Sequence, residues 1–357
     1  MEAVLLNAGL ESIGYLDTFQ SFLWIDRFNE AGEFEILESP RTNVLTSLSQ
    51  AQYVLFEESD HVMVIESLNI HTDPKEGNQL FIKGKSLESI LERRVVWDPI
   101  TLSGNLQTGI QTLLNDNAIT PTNTDRDITL LEFLASTDAN ITSLTMDEQY
   151  LGETLYEAIS GLCIANGIGF KIILTALGKF QFQLYSGTDR SYSQSVNPYV
   201  VFSPNFDNLV NGDYSISSEF MKNVALVGGE AGVGNIRTFT NVELPTGVSD
   251  LARREVFVDA SSIGRTLYGT EAPLTESEYL LVLQSKGYEE LANKVMLEVF
   301  DGQLEIGGNY VYDEDFFMGD VIQVANEFGH EAKSRVIEML YFQDPARVNR
   351  IPRFVAV

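Results

Sequence analysis

The sequence predicts a mainly β protein with α+β inserts, on three observations. Short runs in which apolar and polar residues alternate recur along the chain, separated by Gly, Asn and Asp. The 357 residues include 27 Gly, 21 Phe and 14 Tyr, types that are common in turns and strands. Helix signals occur in three places and interrupt the β-rich regions.

The first β-rich region is predicted from three short apolar runs. Tyr53–Phe56 and Val62–Ile65 flank a polar turn and therefore predict a β-hairpin. Leu80–Gly84 adds a candidate third strand. We expect residues 1–98 to form a β-barrel-like domain, which strands near 197–227 are candidates to complete.

Residues 99–196 are predicted to be an α+β insert. Two helices are indicated by apolar residues with helical spacing, at Leu106, Ile110, Leu113 and Leu114 and, within Asp147–Asn166, at Leu151, Leu155, Ile159 and Leu162. A Gly-Lys turn lies between Gly169–Leu174 and Phe180–Leu184, which predicts a second hairpin.

Residues 197–357 are predicted to be a second β-barrel-like domain. Asn197–Asn211 has the composition of a loop, with two prolines and Asn-containing turns. Val321–Ala325 and Ser334–Phe342 flank a polar turn and predict a third hairpin.

One helix is expected to be inserted in this second domain. Thr275 and Glu278 form a capping-box pattern, which predicts a helix over about 276–296. Its candidate core positions are Leu280, Tyr288, Leu291 and Val295.

The charge of the chain excludes several classes of function. There are 51 Asp and Glu against 23 Lys and Arg, a formal net charge of −28. Such a chain is unsuited to non-specific nucleic-acid binding, which places Lys and Arg on phosphates, and to anionic membrane surfaces. No apolar run reaches the roughly 18 residues of a membrane span, and the N-terminal segment lacks the basic region of a signal peptide. We expect no membrane insertion and folding in a reducing cytoplasm.

Four residues are the obvious candidates for metal or nucleophilic chemistry: His61, His71, His330 and Cys163. None of the histidines has a second His or Cys at the spacing of zinc ligands. His61 and His330 fall in predicted turns, where a solvated position is expected. Cys163 is the single cysteine, which excludes an internal disulfide. It lies beside the apolar stripe of a predicted helix, so we expect a buried, unreactive thiol.

Two further segments look like ligand-binding motifs, and neither is expected to bind a ligand. Gly228–Gly234 follows a predicted strand but lacks the Lys and Ser/Thr of a phosphate-binding loop, so a flexible loop is favoured. Asp313, Glu314, Asp315 and Asp320 form the densest acidic cluster, but their spacing does not match a calcium loop and predicts a solvated turn. We expect no catalytic residue, no metal site and no cofactor.

Several collinear stretches carry a family resemblance over nearly the whole chain, and they consist of turns, aromatic anchors and strand starts. They are Ser21–Phe28, Gly84–Leu91, Arg93–Trp97, Gly187–Tyr192, Asn197-Pro198, Phe202–Leu209, Lys222–Val227, Arg253–Ala260 and Asp315–Val324. Together they resemble the Gp37-like family of siphovirus tail proteins. This family is part of the wider group of tail-tip or baseplate hub proteins of long-tailed bacteriophages.

The resemblance implies a structural hub of the virion tail, assembled in the host cytoplasm. In relatives each subunit carries two β-barrel-like domains, so a homotrimer forms a pseudo-sixfold ring that links the sixfold tail tube to the threefold tip. It implies tail-tube or distal tail proteins above the ring and spike, fibre or receptor-binding proteins below it. Genomic DNA would pass through the ring without specific binding. Many hub chains continue into a hydrolase or a fibre-like extension, whereas this chain stops at Val357 and is expected to be a hub alone.

The acidic charge would have a use in such a hub, because acidic side chains on a channel wall repel DNA phosphates over a screening length of about 8 Å. We expect no enzyme, but two other functions stay open on the residues. One is a tail-associated cell-wall or polysaccharide hydrolase with two catalytic carboxylates. The other is a carbohydrate-binding host-recognition module, which requires exposed aromatic residues on strands.

Overall fold

The computed structural model describes residues 1–73, 75, 77–232, 236–266, 272–304, 309–326 and 328–357. The chain is 43% strand and 21% helix, which confirms the mainly β class. The strands are β1 Ala3–Asn7, β2 Ser12–Leu16, β3 Ser21–Arg27, β4 Glu33–Glu38, β5 Ala51–Phe56, β6 Val62–Asp73, β7 Gly77–Ser86, β8 Ile100–Asn105, β9 Leu131–Leu134, β10 Thr145–Tyr150, β11 Gly169–Leu174, β12 Phe180–Tyr185, β13 Val201–Phe202, β14 Leu209–Ser217, β15 Val224–Ala231, β16 Arg237–Glu243, β17 Glu255–Asp259, β18 Leu297–Leu304, β19 Val321–Ala325, β20 Glu331–Gln343 and β21 Val348–Ala356.

Helices occupy the connections between these strands. The α-helices are α1 Thr42–Leu48, α2 Leu106–Leu114, α3 Ala139–Thr142, α4 Leu155–Asn166 and α5 Glu276–Ala292. Short 3-10 helices span Leu87–Arg93, Thr124–Arg126, Pro204–Phe206 and Asp250–Ala252, and α2 continues into a π-helical turn, Asn115–Ile119.

One thirteen-stranded sheet organises both ends of the chain. Its order is β14-β18-β21-β20-β3-β4-β7-β6-β5-β1-β2, and β19 joins β20 to β13. β3 lies between β4 and β20, so Trp24 is opposite both Phe34 and Tyr341. Within the described residues this order runs from β14 to β2 without closing into a barrel.

All three predicted hairpins are confirmed. β5 pairs with β6, β11 with β12 and β19 with β20, each antiparallel. The candidate third strand of the first region is β7, which pairs with β6 and β4. These hairpins can be predicted from the sequence because turn residues and alternating side chains are local patterns along the chain.

The segment Asn197–Asn211 contains more structure than the predicted loop. It holds β13, a 3-10 turn and the start of β14, because Asn208 locks the turn between them. The Asn208 amide donates to the Val201 carbonyl at 2.7 Å and accepts from the Ser203 N–H at 2.9 Å. β13 and β14 then pair with β19 and β18, in the C-terminal part of the sheet, rather than completing the strands of residues 1–98.

The core of the large sheet is aromatic. Phe22, Trp24, Phe34, Phe56 and Tyr341 are each at most 2% exposed. Neighbouring ring centroids lie 5.0–6.1 Å apart, mostly tilted. Rings of this size each bury roughly 150–250 Å², so they dominate the hydrophobic stabilisation of the sheet.

The insert has its own core, and α4 begins later than predicted. Asp147–Tyr150 belongs to β10, which pairs with β8. The helix begins at Leu155 because Thr154 and Glu157 form a capping box. Gly152, with φ of 86°, turns the chain between strand and helix.

A third core lies between α5 and the sheet β16-β15-β17. The predicted cap is confirmed, since Thr275 Oγ1 accepts from the Glu278 N–H. The predicted core positions are wrong except for Leu291: Tyr288 and Val295 are exposed, and α5 ends at Ala292. The buried stripe is shifted by about one position and consists of Tyr279, Val282, Leu283, Gly287 and Leu291.

Candidate functional site

The first candidate site is a buried charged cluster in which three parts of the chain meet. Asp26 lies on β3, His61 just before β6, and Glu88 in the 3-10 helix after β7. Their exposed fractions are 3%, 5% and 0%. The prediction that His61 is a solvated turn residue is therefore wrong. The insert covers the turn, and His61 forms an isolated β-bridge with Ile173 of β11.

Charge pairing stabilises this burial. His61 Nδ1 lies 3.2 Å from Glu88 Oε1, which also accepts a 2.7 Å hydrogen bond from the Ile172 N–H. Burial opposes the imidazolium charge, but attraction to Glu88 and Asp26 outweighs it and raises the pKa of His61 to about 9. Burial also opposes ionisation of Glu88, yet the His61 cation lowers the pKa of that carboxyl below its ordinary value. The two residues form an ion pair at neutral pH.

Asp26 completes the cluster without making a catalytic triad. It accepts hydrogen bonds from Trp24 Nε1 at 2.8 Å and from Ser59 Oγ at 2.7 Å. Burial raises the pKa of Asp26, and the His61 charge opposes that rise. A serine nucleophile needs a neutral imidazole as its base, whereas Ser59 donates to a carboxylate and His61 is protonated. The arrangement fixes a turn and does not activate a nucleophile.

A cavity of about 120 Å³ opens beside this cluster. Its lining residues are Asp26, Ser59, Asp60, His61, Lys171, Tyr185, Tyr312, Asp313, Phe317 and Met318. Burial, with repulsion from Asp60 and Asp26, raises the pKa of Asp313 to about 6. Across the part of the chain that the structure describes, no group of three or more His, Cys, Asp or Glu is placed to hold a metal ion.

The prediction of a solvated turn for the acidic cluster is wrong for Asp320. It is 2% exposed rather than part of a solvated turn. Its carboxylate accepts 2.7 Å hydrogen bonds from the Thr188 N–H and from Arg190 Nε, and a 3.1 Å bond from the Phe317 N–H. The Arg190–Asp320 pair therefore clamps the end of the insert onto the strand β19 that follows Asp320.

Four of the nine stretches that carry the family resemblance build these internal junctions. Gly187–Tyr192 and Asp315–Val324 meet at the Arg190–Asp320 pair. An added Cβ at Gly187 would overlap the facing backbone carbonyl, so the two chains touch at their backbones. Two other stretches supply Asp26 and Glu88 to the buried cluster. These stretches hold regions of the fold together.

A second buried charged cluster lies where the insert meets α5. Lys286 Nζ lies 5.3 Å from the centre of the Tyr150 ring and 2.7 Å from Glu289 Oε2. Glu148 Oε2 and Tyr150 Oη have no hydrogen-bond partner among the described residues. Burial raises the pKa of Glu148 to about 8; attraction to Lys286 opposes this rise and repulsion from Glu289 adds to it. The Glu148 carboxyl is therefore mostly neutral at pH 7.

The glycine-rich segment Gly228–Gly234 begins as a strand, whereas the sequence predicts a loop. β15 continues through Gly229 to Ala231, while residues 233–235 lie outside the described residues. Gly229 lacks a side chain where the Tyr279 ring of α5 packs closely. The Tyr279 hydroxyl accepts from the Glu230 N–H at 2.7 Å and donates to a backbone carbonyl of the same unit. These glycines serve helix–sheet packing.

Two of the remaining candidates lie where the sequence predicts. Cys163 is fully buried in the core of the insert, and burial raises the pKa of its thiol well above the ordinary value. His330 is exposed in the turn between β19 and β20. His71 is exposed on β6. None of the three is brought to the charged clusters.

Sequence reasoning missed Asp26, Glu88 and Glu148. A signal existed for two of them, because each stands at an inward position of an alternating strand. Asp26 follows Phe22 and Trp24 at two-residue intervals on β3. On β10, the residues two positions before and after Glu148, Met146 and Tyr150, are buried. A charged residue in such a position predicts a buried partner.

The chain matches a family and several solved structures along nearly all its length. The family model described as Siphovirus ReqiPepy6 Gp37-like protein matches residues 2–352, which confirms the resemblance. The tail protein from Neisseria meningitidis MC58 is 13% identical, with a TM-score of 0.59 over 100% of this chain and 96% of that chain. The prophage MuSo2 43 kDa tail protein from Shewanella oneidensis is 12% identical, with a TM-score of 0.56 over 100% of this chain and 98% of that one.

A third solved structure has the same fold. Prophage tail protein gp18 from Listeria monocytogenes EGD-e is 13% identical, with a TM-score of 0.52 over 99% of this chain and 94% of that chain. No curated protein matches the chain in sequence. Of the helices in the described residues, none combines the length and apolar character required to cross a membrane.

Proposed function

The chain belongs to the Siphovirus ReqiPepy6 Gp37-like family and is a structural protein of the virion tail with a tail-tip role. We propose that it forms the tail-tip hub as a homotrimer. Residues 1–98 and 197–357 supply two β-barrel-like domains per chain. Three chains complete a pseudo-sixfold ring between the sixfold tail tube and the threefold tip. Residues 99–196 project from this ring, and the unit of β15–β17 with α5 projects beside them.

The observation that carries this proposal is the family match from residue 2 to residue 352. The sheet supports it as well. Pairing of β3 with β20 sets strands from the two ends of the chain side by side, so that one chain presents two β-rich halves on a common sheet. Tail-tube or distal tail proteins bind above this ring, and spike, fibre or receptor-binding proteins bind below it.

Genomic DNA passes through the ring without specific binding. Three chains carry a formal charge of −84 (3 × −28), and acidic side chains on the channel wall repel phosphates. On the solvent side of the central sheet, charges are paired: Arg27 with Glu33 and Glu338, and Lys83 with Glu35. These pairs comprise three carboxylates and two cations. A channel lined mainly by Lys, Arg or large apolar residues would contradict this role of the charge.

Electron microscopy of the intact particle tests the hub. The map is expected to contain three copies of the chain in one ring at the end of the tail tube. Six copies in the ring, or a single copy, would overturn the trimer. Light-scattering mass measurement on the purified protein, with and without its neighbours in the tail, then shows whether the ring closes before assembly.

We also propose that the protein has no hydrolase activity. Its family and structural neighbours are structural tail proteins. In the Ser59–His61–Asp26 grouping the Ser59 hydroxyl bonds to the Asp26 carboxylate and to the His61 backbone N–H, not to the imidazole. Zymography with the purified chain on cell-wall and surface polysaccharide is expected to give no clearing. Clearing that disappears when a single carboxylate is replaced would instead support a glycosidase.

A further inference from the structure

The structural unit formed by β15, β16, β17 and α5, which we call the α5 unit, is attached to the large sheet by a two-stranded stem. β14 leads into the unit and β18 leads out of it, and these two strands pair with each other. At the junction the Lys222 N–H donates to the Lys294 carbonyl at 2.7 Å. Because the chain enters and leaves the unit at one place, bending of this stem moves the whole unit.

Away from the stem, α5 packs on β10 and α4 of the insert, and we call this contact the α5 seam. Lys286 of α5 lies over the Tyr150 ring, and an added Cβ at Gly161 of α4 would overlap Glu289 Oε1. Within the described residues, the buried apolar side chains of the insert and of the α5 unit form two separate clusters. Among the same residues, neither a hydrogen bond nor an ion pair joins α5 to the insert. Contacts of this kind between parts of one chain separate readily, because no shared hydrophobic core opposes their motion.

The α5 seam also contains a concentration of unpaired polar atoms. Ten buried side-chain N and O atoms of the described residues have no hydrogen-bond partner, and five of these ten belong to β8 and β10. The five atoms are Thr101 Oγ1, Glu148 Oε2, Gln149 Nε2, Gln149 Oε1 and Tyr150 Oη. Thr101 lies opposite Gln149 in the strand register and lines a cavity of about 150 Å³ whose other wall includes α5. Unpaired buried polar groups disfavour the closed arrangement, because separation of the two surfaces returns them to water.

The charges around Glu148 are unbalanced. The charged side chains that face it are Lys286 and Glu289 on α5, Asp147 on its own strand and Glu153 in the turn before α4. Lys286 is the one cation among these four. β8 and α2, which also pack on β10, carry no charged residue, and α4 presents the Cys163 thiol toward Tyr150. Burial raises the pKa of Glu148 to about 8, so the closed seam holds a proton that a hydrated Glu148 releases.

We propose that the α5 unit swings away from the insert as a rigid body, with the Lys222–Lys294 stem as the hinge and the α5 seam as the surface that opens. Closing the seam buries Glu148 near Glu289, and this favours the protonated carboxyl. An ionised Glu148 therefore favours the open form, and rising pH shifts the unit toward it. This inference goes beyond the hub and does not depend on the copy number of the ring, so either proposal can fail while the other stands.

Distances between nitroxide labels, measured by double electron–electron resonance on the purified full chain, test the movement. Leu177→Cys/Leu251→Cys places one label on the insert and one on the α5 unit, at positions that are 90% and 92% exposed. Cys163 is buried and stays unlabelled. Between pH 6 and pH 9, the ratio of a second distance to the distance found at pH 6 should rise more than about tenfold. The control pair Leu177→Cys/Ser143→Cys lies within the insert and should keep its distance.

Three further substitutions in the labelled chain connect the movement to the α5 seam. Glu148→Gln is neutral at every pH and should remove the change with pH. Tyr150→Phe deletes an unpaired hydroxyl and keeps the ring, so the population of the second distance at pH 9 should fall about fivefold or more. The matched control Tyr288→Phe deletes a hydroxyl from a Tyr of α5 that is 45% exposed, and it should leave both populations unchanged.

Three results would overturn the proposal. A single unchanged distance from pH 6 to pH 9 would show that the seam stays closed. A change in the control pair over the same range would assign the effect to unfolding of the insert. An undiminished second distance at pH 9 in Glu148→Gln or in Tyr150→Phe would show that the polar groups of the seam do not control the movement. Circular dichroism establishes that the variants are folded, and if Glu148→Gln does not fold, the pH series of the labelled pair and Tyr150→Phe decide the outcome.

Discussion

The two buried charged clusters contain similar residues and differ in how their carboxylates are held. At His61 one cation faces both Glu88 and Asp26, and neighbouring donors bond each carboxylate. At Glu148 the nearby cation, Lys286, is shared with another glutamate. Glu88 and Glu148 each have one carboxyl oxygen without a hydrogen-bond partner among the described residues, so the difference lies in the cation and in the donors to the other oxygen. Glu88 therefore keeps its charge, whereas Glu148 takes up a proton. A buried acid stays ionised only where a cation and donors are supplied to it.

The clusters also join different parts of the molecule. The His61 cluster ties the first β-rich region to the insert through β11, and the Glu148 cluster ties the insert to α5. We expect the first junction to be the harder one to replace, because its charges depend on one another. The second should tolerate a neutral side chain of the same shape.

The largest expected effect comes from breaking the His61 pair. Glu88→Gln leaves the His61 cation without its closest counter-charge, and we expect a loss of about 3–5 kcal/mol in the free energy of unfolding. Glu148→Gln replaces a neutral acid by a neutral amide and should change the value by less than about 1 kcal/mol at pH 7. Urea unfolding followed by tryptophan fluorescence measures both. Equal losses in the two variants would contradict the comparison.

The second effect is that His61 and Glu148 change the stability of the protein over different ranges of pH. The folded pKa of His61, about 9, lies above its ordinary 6.5. Its contribution to stability is therefore complete below pH 6.5 and is lost as the pH rises to 9. The folded pKa of Glu148, about 8, lies above its ordinary 4.5. The folded state therefore keeps a proton that the unfolded state releases, and stability falls as the pH rises from 4.5 to 8.

A single variant, Glu148→Gln, should remove one of these two slopes and leave the other. Each group contributes at most about 1.4 kcal/mol per pH unit within its own range. Unfolding midpoints measured across both ranges should flatten at the lower end in Glu148→Gln and keep their slope at the upper end, where His61 titrates. A slope that survives the matching variant would show that another group titrates there.

A third and smaller effect concerns the helices on either side of the Glu148 junction. Both α4 and α5 begin with a capping box, at Thr154 and Thr275. Thr275→Ala should cost about 0.5–2 kcal/mol, seen as faster amide hydrogen exchange in α5. Ser277→Ala, at an exposed position two residues further on, is the matched control and should leave exchange unchanged. Unchanged exchange in Thr275→Ala would mean that packing alone defines the start of the helix.

What the sequence could predict follows from how far apart the interacting residues are. The hairpins and the Thr275 cap depend on neighbours a few positions away, and these predictions are confirmed. His61 and Asp320 were placed in solvent because their own turns are polar. The β-bridge partner of His61 is Ile173 and the ion-pair partner of Asp320 is Arg190, and each lies more than a hundred positions away. No local sequence pattern contains that information, so the burial of a turn by a distant segment cannot be predicted from the residues of the turn.

The start of α4 shows a subtler limit. The apolar spacing from Leu151 onward fits a helix, but Leu151 is 40% exposed and precedes the left-handed turn at Gly152. The capping-box residues Thr154 and Glu157 mark the observed start of α4, whereas the apolar spacing predicts an earlier one. Caps fix helix ends better than apolar spacing does, because spacing also continues by chance into the preceding strand.

The smallest expected effect is at the exposed ion pair on the central sheet. Lys83 Nζ lies 2.5 Å from Glu35 Oε2, but the two side chains are 50% and 38% exposed. A double-mutant cycle with Lys83→Met and Glu35→Gln should therefore give a coupling of only about 0.2–1 kcal/mol, which decreases with salt. The His61–Glu88 pair, at a longer 3.2 Å, should couple more strongly and resist salt because water cannot screen it. Burial would then matter more than distance for these pairs. A strong, salt-independent coupling at Lys83 would mean that this face of the sheet is covered in solution, as happens when subunits associate through it.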